Sequence, residues 1–147
     1  MLQTNINDQA LRDTLDAIQA RHYNCLLGNP GIAPGSDVDK IKITNAFHYR
    51  LNGIEYYKAA TDDVIAPATQ GAGVFKKVVV GIDAAGTVTL TAGTTAATQL
   101  LAAIPTVAST ILPIAYLEIP ENFTSETTDV TTDMIKRFTS TIDVTYT

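Results

Sequence analysis

Apolar and polar positions alternate most cleanly over residues 47–58, where FHYRL and IEYYK flank Asn52-Gly53. Asn-Gly is a preferred pair for a two-residue type I′ turn, because both central positions need positive φ. That turn predicts a register in which Leu51 faces Ile54, Arg50 faces Glu55, Tyr49 faces Tyr56 and His48 faces Tyr57. Phe47, Tyr49, Leu51, Ile54 and Tyr56 then share one face, while His48, Arg50, Glu55 and Tyr57 share the other. The first face reads as core. The second is wet, and its tyrosine and arginine are residue types enriched at interfaces.

The same reasoning extends along the chain. Residues 7–27 predict a helix, capped by Asn7 or Asp8 and ended by Gly28 before Asn29-Pro30-Gly31. Leu11, Leu15, Ile18, His22 and Cys25 recur at spacings of 4, 3, 4 and 3. That narrow seam must pack on the protein's own sheet or on a neighbouring copy, since an isolated helix of this length is marginal. GNPGIAPGSD, residues 28–37, reads as a Pro/Gly linker. The domain organisation expected is therefore a helical arm with linker over residues 1–35 and a β-domain over 36–147.

Beyond the linker, residues 41–51 and 54–60 predict the first hairpin. VFKKVVVGID and TVTLTAG predict a second, joined by Asp83-Ala84-Ala85-Gly86 with Gly86 in the left-handed region. Val88 and Leu90 should point inward, with Thr87, Thr89 and Thr91 outward. TTAATQLLAAIP predicts a short helix capped by Thr94 or Thr95, burying Leu100, Leu101 and Ile104 and stopped by Pro105. ILPIAYLEI predicts a strand with Ile114, Tyr116 and Glu118 on one side, and RFTSTIDVTYT predicts a last strand. The fold class expected is mainly β, a sandwich or open barrel of hairpins with an N-terminal helix and one short internal helix.

Composition narrows the function classes. The chain has 147 residues, enough for one core, and a net charge of −5 with basic residues scattered, which argues against nucleic-acid binding. A lone cysteine allows no internal disulfide, so folding is compatible with a reducing cytoplasm. The N-terminus lacks the order of a signal peptide, and VVVGI and ILPIAYLEI are too short to span a bilayer. Threonine is dense from Thr87 onward, as on a hydroxyl-covered sheet.

Candidate chemistry is sparse. No phosphate-binding loop, dinucleotide fingerprint or HExxH occurs. His22 and Cys25 lie on one helical face, but two side chains in an apolar seam read as packing rather than as a metal site. His48 sits among tyrosines as a structural histidine. Asp62-Asp63, and Asp37 with Asp39, lack the spaced oxygen ligands of a calcium loop and read as turn carboxylates. Gly71-Ala72-Gly73 precedes a strand and offers no helix end to a phosphate. The expectation is a non-enzyme without cofactor or metal.

NAFHYRLNGIEYYKAATDD, FKKVVVGIDAAGTVTL, LLAAIPTV and ILPIAYLEIPENFTSETTDV, spanning about residues 45–132, resemble in order and style the small virion proteins of tailed bacteriophages, of the capsid decoration or cement type. Ala115 stands where that pattern has glycine. The resemblance implies a β-rich homotrimer that clamps neighbouring major capsid protein subunits on the capsid surface, after synthesis in the host cytoplasm. It carries over no catalytic residues. The interface expected on this reading comprises Leu11, Leu15, Ile18 and His22 of the arm and Tyr49, Tyr56 and Tyr57 of the hairpin. The alternative is a tail-fibre, baseplate or adhesin module binding a host glycan.

Overall fold

Turn chemistry sets most strand boundaries in the computed structural model, which describes residues 23–138. In chain order the strands are β1 (Cys25–Leu26), β2 (Ile32–Pro34), β3 (Ile41–Ile43), β4 (Phe47–Leu51), β5 (Ile54–Lys58), β6 (Thr61–Ile65), β7 (Lys76–Ile82), β8 (Val88–Ala92), β9 (Leu112–Ile119) and β10 (Ile135–Lys136). The helical content of the described residues is little more than a 3₁₀ turn at Thr132–Met134. The protein is mainly β, and every strand pairing is antiparallel.

Three sheets result, with strand orders β1-β4-β5, β2-β3-β6 and β10-β9-β7-β8. One core joins them. Phe47, Tyr49 and Leu51 come from the first sheet, Ile41 and Ile43 from the second, and Val78, Val80, Ile82, Leu117 and Ile119 from the third. Phe123, Val130 and Met134 close it from the segment after β9. The four-stranded sheet also carries apolar residues on its other face, where Val79 and Val107 are buried against Ile104, Tyr116 and Phe138. β7 is thus covered on both faces, which explains its near-continuous apolar run.

Both predicted hairpin turns form. Asn52 and Gly53 have φ of 53° and 78°, and β4 pairs β5 in the predicted register, from Leu51 opposite Ile54 to His48 opposite Tyr57. In the β7–β8 turn, Gly86 has φ 77°, and Asp83 Oδ1 accepts from the N–H groups of Ala85 and Thr87. Val88 is buried and Leu90 packs against the core, as expected. Thr87 is exposed, but Thr89 and Thr91 are half-buried, so their face is not the open one predicted.

Four expectations are corrected. Residues 23–27, read as the end of the helix, include strand β1, which pairs with β4 through Cys25 opposite Arg50 and Leu26 opposite Tyr49. The remainder of that helix, and the last strand beyond Phe138, lie outside the described residues. The segment read as a linker is part of the β framework. Gly31, at φ 61°, turns the chain into β2, which pairs with β3.

The single strand predicted over 41–51 is broken at Thr44 and Asn45. Their N–H groups donate back to the carbonyls of Gly31 and Pro30, so the chain passes from one sheet to another. The internal helix does not form. Ala96 exchanges both backbone hydrogen bonds with Phe75, which holds the intended N-terminus extended. Too few residues then remain before Pro105 to repay helix nucleation.

β9 holds a further difference. Its pairing with β7 shifts between Val80–Ala115 and Gly81–Pro113, leaving Ile114 as an extra residue. Such a bulge reverses the alternation. Ile114 is therefore buried with Leu117 and Ile119, while Tyr116 and Glu118 lie half-buried on the other side.

Candidate interaction surface

The tyrosine hairpin divides its residues between core and surface. Tyr49 is fully buried, and its hydroxyl donates to the Asp83 carbonyl at 2.7 Å. Burial raises its phenol above the usual tyrosine range. Lys58 Nζ donates to the Gly86 carbonyl at 2.9 Å, so two groups latch the first hairpin to the turn of the second. Tyr56 is half-buried and stacks on Tyr49 at 5.5 Å between ring centroids. Tyr49 is thus a core residue and leaves the predicted interface, because a ring with no accessible surface cannot meet a partner.

Tyr57 is 59% exposed, with the His48 ring 5.1 Å away across the ladder. His48 Nδ1 lies 3.0 Å from Glu55 Oε1, a diagonal neighbour on the same face. Ile54 was placed on the core face but is 58% exposed: it lies on β5, the edge strand of its sheet, whereas Leu51 opposite it on the central strand β4 is buried. Gly53 N–H donates to the Tyr23 carbonyl, and the exposed Tyr23 ring lies against Gly53. Ile54 and Tyr23 therefore gather at the tip. Leu11, Leu15, Ile18 and His22 lie outside the described residues.

The carboxylate pairs are engaged in holding loops. Asp62 accepts from Ser36 Oγ at 2.6 Å, which holds its carboxyl below the usual range, and from Ser36 N–H at 3.1 Å. Asp63 Oδ1 accepts from the Asp37 N–H, and Asp37 pairs with Lys40 Nζ at 2.6 Å. Asp39 is 5% exposed, and one of its oxygens accepts from Ser125 Oγ and Glu126 N–H, each at 2.7 Å. These carboxylates join β2–β3 to β6 and to the loop after β9. Among the described residues no group of three or more His, Cys, Asp or Glu side chains is arranged to hold a metal ion.

Two apolar features were missed in the sequence. Leu100 and Leu101, read as buried, are 91% and 69% exposed on a turn between β8 and β9. The second is an open cavity of about 630 Å³ between the β1–β2 segment and the start of β9. Leu26, Leu27, Ile32, Leu112, Ile114 and Phe138 line it. Cys25, read as a core residue, is half-buried in its wall. The sequence carried no signal for the exposed turn: residues 84–117 contain no charged side chain, a pattern that points to burial.

The chain matches no protein-family model, no curated protein and no solved structure.

Proposed function

We propose that the chain is a non-enzymatic virion structural protein that binds and stabilises a tailed-phage capsid as a decoration, or cement, protein. On this reading its sheets form a β-sandwich, and it acts as a homotrimer on the major capsid protein at the capsid surface. The observation that carries the proposal is the display of apolar side chains from hydrogen-bonded turns and strands. Ile54, Tyr57, Leu100 and Leu101 are all more than half exposed. Isolated surface apolar residues are ordinary, and what supports the reading is that these large ones are held on hydrogen-bonded strands and turns, as separate rigid points of contact rather than one patch. A protein that clamps a shell by touching several subunits needs such points and needs no reactive group.

The arm residues Leu11, Leu15, Ile18 and His22 belong to the same proposal as a further contact, since engaging several subunits at once multiplies effective concentration. The test is sedimentation of the purified chain alone and with empty tailed-phage capsids. A trimeric mass and saturable cosedimentation are expected, with binding weakened by Tyr57→Ala and by Leu15→Asp. A chain that ignores shells and is retained on immobilised glycans instead would replace this reading with that of a tail or adhesin module.

A further inference from the structure

Asn52 is the one asparagine of seven that a glycine follows. A glycine nitrogen has no side chain beside it, so it is the least hindered nucleophile the backbone offers to an asparagine carboxamide. Both residues are exposed, at the tip of the β4–β5 hairpin. Sequence and exposure together make this bond the readiest place in the chain for deamidation.

The tip is also strapped down. Gly53 N–H donates to the Tyr23 carbonyl at 2.9 Å, and Asn52 N–H donates to Asn24 Oδ1 at 2.6 Å. The Tyr23 ring lies over Gly53, 3.1 Å from where a Cβ would stand. These contacts bear directly on the reaction. Deamidation requires the Gly53 nitrogen to lose its proton and reach Asn52 Cγ. A hydrogen-bonded N–H gives up its proton only when the bond opens. The Asn24 contact meanwhile holds Asn52 in the left-handed turn, at φ 53°. The closed tip is therefore unreactive. The strap runs on into β1, which is only two residues long and pairs with β4 through Cys25 and Leu26. So short a strand belongs to the elements that open at low cost.

We propose that Asn52 is a deamidation site gated by the Tyr23–Asn24 strap. When the strap lifts, the deprotonated Gly53 nitrogen attacks Asn52 Cγ. The bond from Gly53 N to Cγ forms and the Cγ–Nδ2 bond breaks. The amide nitrogen takes a proton from water and leaves as ammonia. Water then opens the succinimide at one carbonyl or the other, giving aspartate or isoaspartate, with no oxidant or reductant involved. Either product adds one negative charge to a chain already at −5. Isoaspartate also inserts a methylene into the backbone, so the two-residue loop no longer fits the register that sets Leu51 opposite Ile54. The inference stands apart from the decoration reading, since no step of it needs a shell.

The test follows the full chain during incubation in mildly alkaline buffer. Peptide mapping by mass spectrometry locates each converted asparagine, and labelling with an isoaspartyl methyltransferase measures the isoaspartate product. A parallel sample in concentrated urea gives the ungated rate. Asn52 should convert first in both samples, and about 10-fold or more slowly in the folded protein, where the reactive form is a local opening. Asn24→Ala removes one hydrogen bond from the closed tip and should speed the folded reaction about 2- to 10-fold, with the urea rate unchanged. Tyr23→Ala uncovers Gly53 while keeping the carbonyl, and should act in the same direction. Thermal unfolding before incubation confirms that each variant is folded. Repeated on aged wild type, it should show a lower melting temperature in the isoaspartate fraction.

Equal rates with and without urea overturn the gate, as do variants at Asn24 and Tyr23 that react no faster than wild type. Conversion of another asparagine ahead of Asn52 overturns the site. So does an Asn52 that stays intact in every folded sample while the urea sample reacts to completion. The comparison of folded and unfolded wild type needs no substitution, so it decides the matter even if a variant fails to fold.

Discussion

Replacing Asp39 by alanine removes the clamp that ties the loop after β9 to the β2–β3 turn. Two donors, Ser125 Oγ and Glu126 N–H, converge on one carboxylate oxygen at 2.7 Å, and Asp39 is only 5% exposed. A hydrogen bond to a charged acceptor contributes about 1.5–3 kcal/mol. Glu126 is exposed and Ser125 half-buried, so water recovers part of the loss on the donor side. The expected destabilisation is therefore about 3 kcal/mol, the lower end for two such bonds.

Glu126 also has φ 74°, a region that L-residues populate at a cost, and its N–H bond to Asp39 is one restraint that holds it there. Urea unfolding followed by far-UV circular dichroism should show a lower midpoint with an unchanged slope. Asp39→Asn keeps an acceptor oxygen and should lose about half as much. The pH dependence follows from the same contacts. The Ser125 hydroxyl, then the Glu126 N–H, hold the Asp39 carboxyl below the usual carboxylate range. A depressed folded-state value means stability that is fully present above the unfolded value, about 3.9, and lost as pH falls below it. Wild type should weaken over that acid range more steeply than Asp39→Ala. An unfolding free energy within about 0.5 kcal/mol of wild type, the usual effect of an inert surface change, would refute the clamp.

Gly53→Val should destabilise by more than about 1 kcal/mol, because valine resists positive φ and its Cβ would meet the Tyr23 ring at 3.1 Å; an unchanged melting temperature would contradict the turn. Tyr49→Phe should cost about 1–1.5 kcal/mol by leaving the Asp83 carbonyl without the phenol donor, read by denaturant unfolding with the ring packing retained. Gly93→Ala should cost about 1–3 kcal/mol, since a Cβ there would lie 2.8 Å from the Ala103 carbonyl and 2.9 Å from that of Lys77. A wild-type melting curve for that variant would show that the β8 end is looser than described.

The sequence by itself determined what depends on neighbouring residues. Asn52-Gly53 and Asp83 to Gly86 fix their turns through local φ preferences and local hydrogen bonds, and each turn sets the register of the strands it joins. The mainly β character followed from those two hairpins. Alternation also placed Phe47, Tyr49 and Leu51 in the core, but it could not report the exposure of Ile54, which follows from β5 lying at the edge of its sheet.

Tertiary structure decided whatever needed a distant partner. Cys25 and Leu26 form a strand because β4 presents an edge to them, which a helical spacing of apolar residues cannot report. Ala96 is held extended by Phe75, and the helix written into TTAATQLLAAIP gives way to a turn with two leucines in solvent. Ile114 bulges out of register against β7 and reverses the faces of β9. The carboxylates of Asp39, Asp62 and Asp63 looked alike as loop acids until folding brought Ser125, Ser36 and Asp37 to them. Turn propensity acts within about four residues, whereas strand edges, bulges and buried acceptors are selected by pairing across the whole chain.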